Sequence, residues 1–278
     1  MNNKIDSKVI KDFGDEWDKF KQDKLTNEQL DYQFNWYFNI VDWTKIPKDA
    51  KCFDMGCGSG RWAQKVAKRV GKLTCIDGSA KALEIAKHNL KDLDNCKFYE
   101  ASFGSMPLED NSMDFGYSLG VLHHITNTED GIKECVDKIK PGAQFLIYLY
   151  YSLDNRPFWY KLIWRCSNIF RYIISNSPFK LKVFLSDILA VLLYYPLARL
   201  SLLLEKLGLD VKNIPLSAYR HTSFYSMRTD SLDRFGTKLE KRFSKKEIKK
   251  MLLNAGLENL KFSNSNPYWC VVGYKKYL

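Results

Sequence analysis

Between residues 48 and 150 short apolar runs alternate with helix-patterned stretches, and this rhythm constrains the chain most. The strand candidates are Lys51–Asp54, Leu73–Asp77, Cys96–Glu100, Asp114–Ser118 and Ala143–Tyr150. Helical patterns at Arg61–Val70, Ala80–Leu90 and Glu129–Ile139 fall between them. Strands separated by helices build a parallel sheet with helices on both faces, joined by right-handed crossovers. The chain closes as helix, strand, strand. Ser244 opens Lys245–Asn254 with Glu247 placed for a capping box, and Gly256 ends that helix. Leu257–Ser263 and Tyr268–Tyr274 follow as strands around a turn at Asn264–Pro267, making an α/β fold of seven strands.

The flanking segments read differently. Residues 1–47 are polar, acidic and aromatic-rich, with a helical look. Residues 152–210 are apolar and helical, punctuated by Pro157, Pro178 and Pro196, and 211–243 read as an irregular polar loop. The expected organisation is a helical lid at 1–47, a core from 48–151 and 244–278, and a helical substrate cap at 152–243. Charge divides along the same lines. Residues 1–155 carry 21 basic and 24 acidic side chains, while 156–278 carry 22 and 8, so the second part faces solvent or an anionic partner. The most apolar stretch, Val183 to Leu204, is interrupted by Asp187, Pro196 and Arg199. Its charge-free core, Ile188 to Ala198, is too short to span a bilayer, which leaves lying on a membrane surface open. Seven cysteines in no CxxC spacing, several in strand-like runs, read as reduced, buried thiols of a cytoplasmic protein. The first residues hold no apolar secretory stretch.

Phe53-Asp54-Met55-Gly56-Cys57-Gly58-Ser59-Gly60 runs from strand through a glycine-rich turn toward a helix. Glycines let a ligand approach the backbone, and a helix start offers free N–H groups. The spacing differs from the dinucleotide G-x-G-x-x-G. Asp54 stands two before the first glycine, where a carboxylate repels a pyrophosphate but suits an ammonium group. Asp77 ends the next strand, 23 residues on, where open α/β sheets place a carboxylate for a ribose diol.

With Thr74-Cys75-Ile76-Asp77-Gly78-Ser79, then Met113 to His124, then Ile139-Lys140-Pro141-Gly142, the chain resembles the class I S-adenosylmethionine-dependent methyltransferases, closely over residues 48–150. The resemblance implies a Rossmann-like seven-stranded sheet and S-adenosylmethionine as cofactor. It implies that Gly56, Cys57 and Gly58 line the methionine part, with Asp54 near its amino group. Asp77 takes the ribose hydroxyls and Gly78 lies by the adenine. Ser102 and Phe103 fall where the family reads the adenine, Ser102 standing where an Asp is common. Ser118 and Leu119 close the site beneath the methionine. Phe13-Gly14-Asp15-Glu16-Trp17 resembles an element that lies over the cofactor in some members, so Phe13 and Trp17 are expected to cover it.

Methyl transfer needs an aligned nucleophile and, for a hydroxyl, a base. His123 and His124 follow the fourth strand at its carboxyl edge, and Tyr151 and Arg220 are further catalytic candidates on the substrate side. The Arg220 to Arg228 stretch suits an anionic group. No metal spacing appears. The favoured acceptor is an O, N or S nucleophile of a small, anionic or sugar-like metabolite. The alternative is a lipid or lipid-linked molecule at a membrane, because residues 156–182 mix six basic side chains with aromatics and carry no acid. No nucleic-acid partner is expected, since the charge forms no clean stripe. The cap is also a candidate surface for homo-oligomers.

Overall fold

The structure is a computed structural model, and it describes residues 7–22 and 25–277. Residues 1–6 and 23–24 of the expected lid therefore lie outside the described residues. The chain divides into two compact units, one running up to Ser152 and again from Leu239, the other Leu153–Lys238.

The first unit holds the sheet. Its strands are β1 (Lys51–Met55), β2 (Lys72–Asp77), β3 (Cys96–Glu100), β4 (Met113–Leu119), β5 (Ile139–Tyr148), β6 (Leu257–Phe262) and β7 (Cys270–Lys275). They lie in the order β3-β2-β1-β4-β5-β7-β6. The first five are parallel, and β7 runs antiparallel between β5 and β6. The order reverses between β1 and β4, the point where such sheets open a crevice at the carboxyl ends of their strands. Successive side chains alternate across β1. Cys52 packs with Phe34, Phe38, Phe115 and Tyr117 on one face, whereas Phe53 and Met55 pack with Ile132, Phe145, Ile248 and Leu252 on the other.

The helices are set by their caps. Before the end of β5 they are α1 (Ser7–Lys19), α2 (Asn27–Phe38), α3 (Ala63–Val66), α4 (Ala80–Asn89) and α5 (Thr128–Lys138). Thr26 and Gln29 form a capping box on α2, Ser79 caps α4, and Asn127 accepts from Glu129 and Asp130 at the start of α5. The expected helix at Arg61–Val70 is only one α-helical turn, followed by a 3-10 turn at Ala67–Arg69.

The second unit contains α6 (Phe158–Ser175), α7 (Phe179–Leu189), α8 (Tyr195–Lys206) and α9 (Phe224–Gly236). A π-helical turn at Ala190–Tyr194 makes α7 and α8 one continuous helix from Phe179 to Lys206. Pro196 does not break it, because the π-helical turn directly before it shifts the hydrogen-bond ladder at the point where its missing N–H falls. By length and composition alone this 28-residue helix is able to cross a membrane, although Asp187 and Arg199 still bound its charge-free core at Ile188–Ala198. The irregular loop expected at 211–243 is also corrected. Ser223 caps α9, which buries Met227, Leu232 and Phe235 among small polar residues that dilute its apolar period.

The closing α10 (Lys245–Asn254) keeps its Ser244–Glu247 capping box. Residues 239–243 join the first unit rather than the cap, for a backbone reason. Lys241 N–H donates to His123 O, Phe243 N–H to Tyr150 O and Ser152 N–H to Phe243 O. All seven cysteines are free and five are buried as expected, but Cys96 is half-buried and Cys166 exposed.

Candidate active site

The site is built by the turn that follows β1. Gly56 and Cys57 N–H both donate to Ile76 O, at 2.7 and 3.0 Å, pinning the turn to the end of β2. Gly56 holds φ +81°, and a Cβ there would come within 2.3 Å of Val121 Cγ2. Gly58 holds φ +52°, with Trp17 of α1 2.8 Å from where its Cβ would stand. Only glycine meets both demands, a left-handed backbone and a ring laid directly on it.

Asp77 Oδ2 accepts from Gly58 N–H and Oδ1 from Ser79 N–H, both at 2.9 Å. Burial raises its carboxyl above the ordinary value while these N–H groups pull it back. Asp54 is more extreme. It is buried beneath the turn, and its Oδ2 has no hydrogen-bond partner. Burial pushes its carboxyl up to about 8, against a lowering from the Tyr117 hydroxyl and with a further rise from Asp77.

An open cavity of about 100 Å³ lies over this turn. Met55, Gly56, Asp77, Gly78, Phe103, Leu119, Gly120, Val121, His124 and Ile125 form its walls, and Ile10, Phe13 and Trp17 of α1 form its cover. Asp15 of α1 pairs with Lys81 of α4 at 2.6 Å, holding that cover down. Of the residues expected from sequence, Phe13, Trp17, Gly56, Asp77, Gly78, Phe103 and Leu119 line the cavity. Asp54, Cys57 and Gly58 lie in the turn and strand behind it. Ser118 is fully buried and donates to Met55 O, and Ser102 O accepts from Ser105, so both act on the backbone beside the cavity.

The four catalytic candidates separate. His124 lines the cavity, with the Phe13 ring edge-on at 4.9 Å. Its Nδ1 lies 2.5 Å from Leu239 O, an atom that only accepts, so Nδ1 carries the proton and Nε2 the lone pair. His123 is fully buried, and burial drives its pKa well below the ordinary value. It stacks on Tyr150 at 3.8 Å in the interior and does not line the cavity. Tyr151 packs its ring on Tyr268 and bridges Phe243. Arg220 belongs to the second unit, where it donates to Glu205 and to Ser217 O. Sequence reasoning missed Ile10, Val121 and Ile125, whose only signal is apolar character. It also missed the buried Arg242–Glu240 pair, 2.6 Å apart, whose guanidinium lies over Tyr150. Among the described residues no three His, Cys, Asp or Glu side chains gather to hold a metal ion.

Residues 53–147 match the methyltransferase-domain family. These residues are a class I methyltransferase domain. The cofactor of such a domain is S-adenosylmethionine, and the residues here fit it. The buried carboxyl of Asp54, with its Oδ2 unpartnered, suits a cationic amino group, and Asp77 and Gly78 line the cavity beside the glycine turn. The methyltransferase domain is 29% identical over 113 residues to a sterol 4-C-methyltransferase of Caenorhabditis elegans, covering 40% of this chain and 34% of that one. It is 30% identical over 132 residues to a 2-phytyl-1,4-naphtoquinone methyltransferase of Nostoc, covering 44% and 56%. The chain thus spans about a third to somewhat over half the length of these relatives. A solved S-adenosylmethionine-dependent methyltransferase of Thermotoga maritima superposes with a TM-score of 0.50 at 13% identity, over 97% of this chain and 99% of that one. At that identity the likeness is one of fold.

Proposed function

We propose that the protein transfers a methyl group from S-adenosylmethionine to an acceptor with a large apolar body, of the lipid class. The cofactor supplies an electrophilic methyl on a sulfonium. Gly56, Cys57 and Gly58 would hold its methionine end, Asp54 its ammonium, and Asp77 and Gly78 its nucleoside. Ile10, Phe13 and Trp17 exclude water above it, which strengthens every charge interaction inside. His124 Nε2 takes the proton from the acceptor's nucleophile, while the Leu239 carbonyl fixes the tautomer.

The observation that carries this reading is His124 set beside Met55, Leu119, Val121 and Ile125 in the wall of a cavity whose one carboxylate among the described residues, Asp77, stands at the nucleoside end. A base in an apolar wall suits a mostly apolar acceptor with one reactive polar atom. The relatives named for a sterol and a phytyl-naphthoquinone support the same class. The basis for an anionic metabolite weakens, because Arg220 and Arg228, which suggested it, engage Glu205 and Asp187.

The test is methyl-labelled S-adenosylmethionine incubated with the protein and a cell extract, then partitioned between organic solvent and water. Label is expected in the organic phase and is expected to vanish with Asp77→Ala. Label confined to water-soluble products would overturn the lipid class and leave the methyl transfer standing. No label in either phase, from protein that binds the cofactor, would overturn the transfer.

A further inference from the structure

The second unit is built inside out. Among the described residues 24 large apolar side chains are exposed, and 20 of them fall between Phe158 and Phe224. The unit's own buried core is small, formed by Ile174, Tyr194, Ala198, Met227 and Phe235. Along the continuous helix Phe179–Lys206, the buried positions are Lys182, Ser186, Ala190, Tyr194, Ala198 and Ser201, one every three or four residues. Four of these six are Ser or Ala. The same helix turns Phe184, Val191, Leu192 and Leu203 outward, each more than half exposed.

The inward stripe is also where the polar contacts lie. Arg228 of α9 grips Asp187 with two bonds of 2.7 and 2.6 Å, and Ser231 donates to Ser186 O. A helix in water turns its polar side out. Small and polar residues between helices with bulky apolar residues outside is the arrangement of helices that meet hydrocarbon. Twenty exposed large apolar side chains in one unit are far from the scattered single ones that soluble surfaces carry.

Charge says what covers it. From Asn155 to Ser186 there is no acidic residue, while Arg156, Lys161, Arg165, Arg171, Lys180 and Lys182 lie in the same stretch. Arg165 and Lys180 are exposed among exposed Phe158, Phe170 and Tyr172. Cations interspersed with aromatics fit an anionic headgroup layer above acyl chains. A second copy of this chain would set these cations against each other.

We propose that the outward face of α6, α7 and α8 docks on the surface of an anionic lipid bilayer, sinking its apolar side chains among the acyl chains. The inference deepens the lipid-class reading of the acceptor by giving the surface from which such an acceptor is drawn.

The experiment is co-sedimentation of the full chain with vesicles of phosphatidylcholine, alone or with about a third phosphatidylglycerol, followed by sizing without lipid. Phe184→Glu with Leu192→Glu places charge in the apolar face, and Arg165→Glu with Lys180→Glu reverses the cations. Both pairs are exposed, so folding is retained. Leu253→Glu, at an exposed leucine of the first unit, is the control. The intact chain and the control are expected to pellet with anionic vesicles and weakly with neutral ones. The apolar-face variant is expected to stay in solution. Each removed cation is expected to weaken binding about five-fold. An intact chain that ignores anionic vesicles would overturn the proposal. So would a chain that sizes as a dimer, loses the dimer with Phe184→Glu and Leu192→Glu, and binds no vesicle. Vesicle binding with label only in water-soluble products would leave the docking intact and overturn the acceptor class instead.

Discussion

Replacing Asp54 by asparagine should stabilise the protein and weaken its cofactor binding at the same time. Asp54 is 2% exposed with one oxygen unpartnered, and its carboxyl is pushed from 3.8 up to about 8. A folded-state pKa raised above the unfolded one makes stability greatest below the unfolded value. That contribution is lost progressively as pH rises from about 4 to 8. Each pH unit in that window is worth 1.36 kcal/mol, so the ceiling on the loss is on the order of 5 kcal/mol. Water entering the unfilled turn brings the expected difference to about 1–3 kcal/mol, the usual cost of an unsatisfied buried polar group. The substituted amide does not titrate, so the Asp54→Asn variant should gain on the natural protein steadily between pH 5 and 8 and no further above that. Urea unfolding at several pH values without cofactor reads this directly. Cofactor affinity should run the other way. A cationic amino group draws the proton off Asp54, so affinity in the natural protein should rise with pH up to about 8, by at most tenfold per unit. The Asp54→Asn variant should bind more weakly at pH 8 and show no such slope. A stability difference that stays constant from pH 5 to 8 would refute the reasoning.

Other perturbations probe the remaining parts of the site. Asp77→Ala removes the acceptor of Gly58 and Ser79 N–H and should lower cofactor affinity by about 1.5–3 kcal/mol in titration calorimetry. Gly58→Ala forces a side chain at φ +52° into Trp17, and should cost about 1–3 kcal/mol of stability, with α1 becoming more open to proteolysis. His124→Gln should lower kcat by about 10²–10⁴ while leaving the cofactor Kd within a few-fold. Arg228→Leu strands Asp187 in the second unit and should destabilise it by about 1–3 kcal/mol, seen as faster amide exchange in α7 and α9.

The sheet and its glycine turn were legible because both follow local rules. Strand and helix periods in residues 48–150 set the order of elements, and Asp54, Gly56, Gly58 and Asp77 stand at spacings that backbone geometry demands. The Ser244–Glu247 capping box was legible for the same reason. What sequence missed depends on tertiary contact. Nothing local marks α9 as a helix, since its buried side carries Ser226, Thr229 and Ser231 beside Met227 and Phe235. Pro196 reads as a break, but the π-helical turn directly before it accommodates its missing N–H. His123 and His124 are adjacent and chemically alike, and only folding drives one into the interior and leaves the other on a cavity wall. Arg220 reads as available for an anion, but the fold sets Glu205, fifteen residues before it, against its guanidinium.

The backbone bonds between residues 150–152 and Phe243 have a consequence for how such a chain can change. The second unit leaves and returns through two strands tied side by side, Phe243 N–H to Tyr150 O and Ser152 N–H to Phe243 O. Everything between Leu153 and Lys238 is therefore a loop whose ends are already closed. The entropy of closing it grows only with the logarithm of its length, so its content can be shortened, lengthened or exchanged at small cost to the sheet. A lineage carrying this methyltransferase domain is free to swap one second unit for another at that single junction.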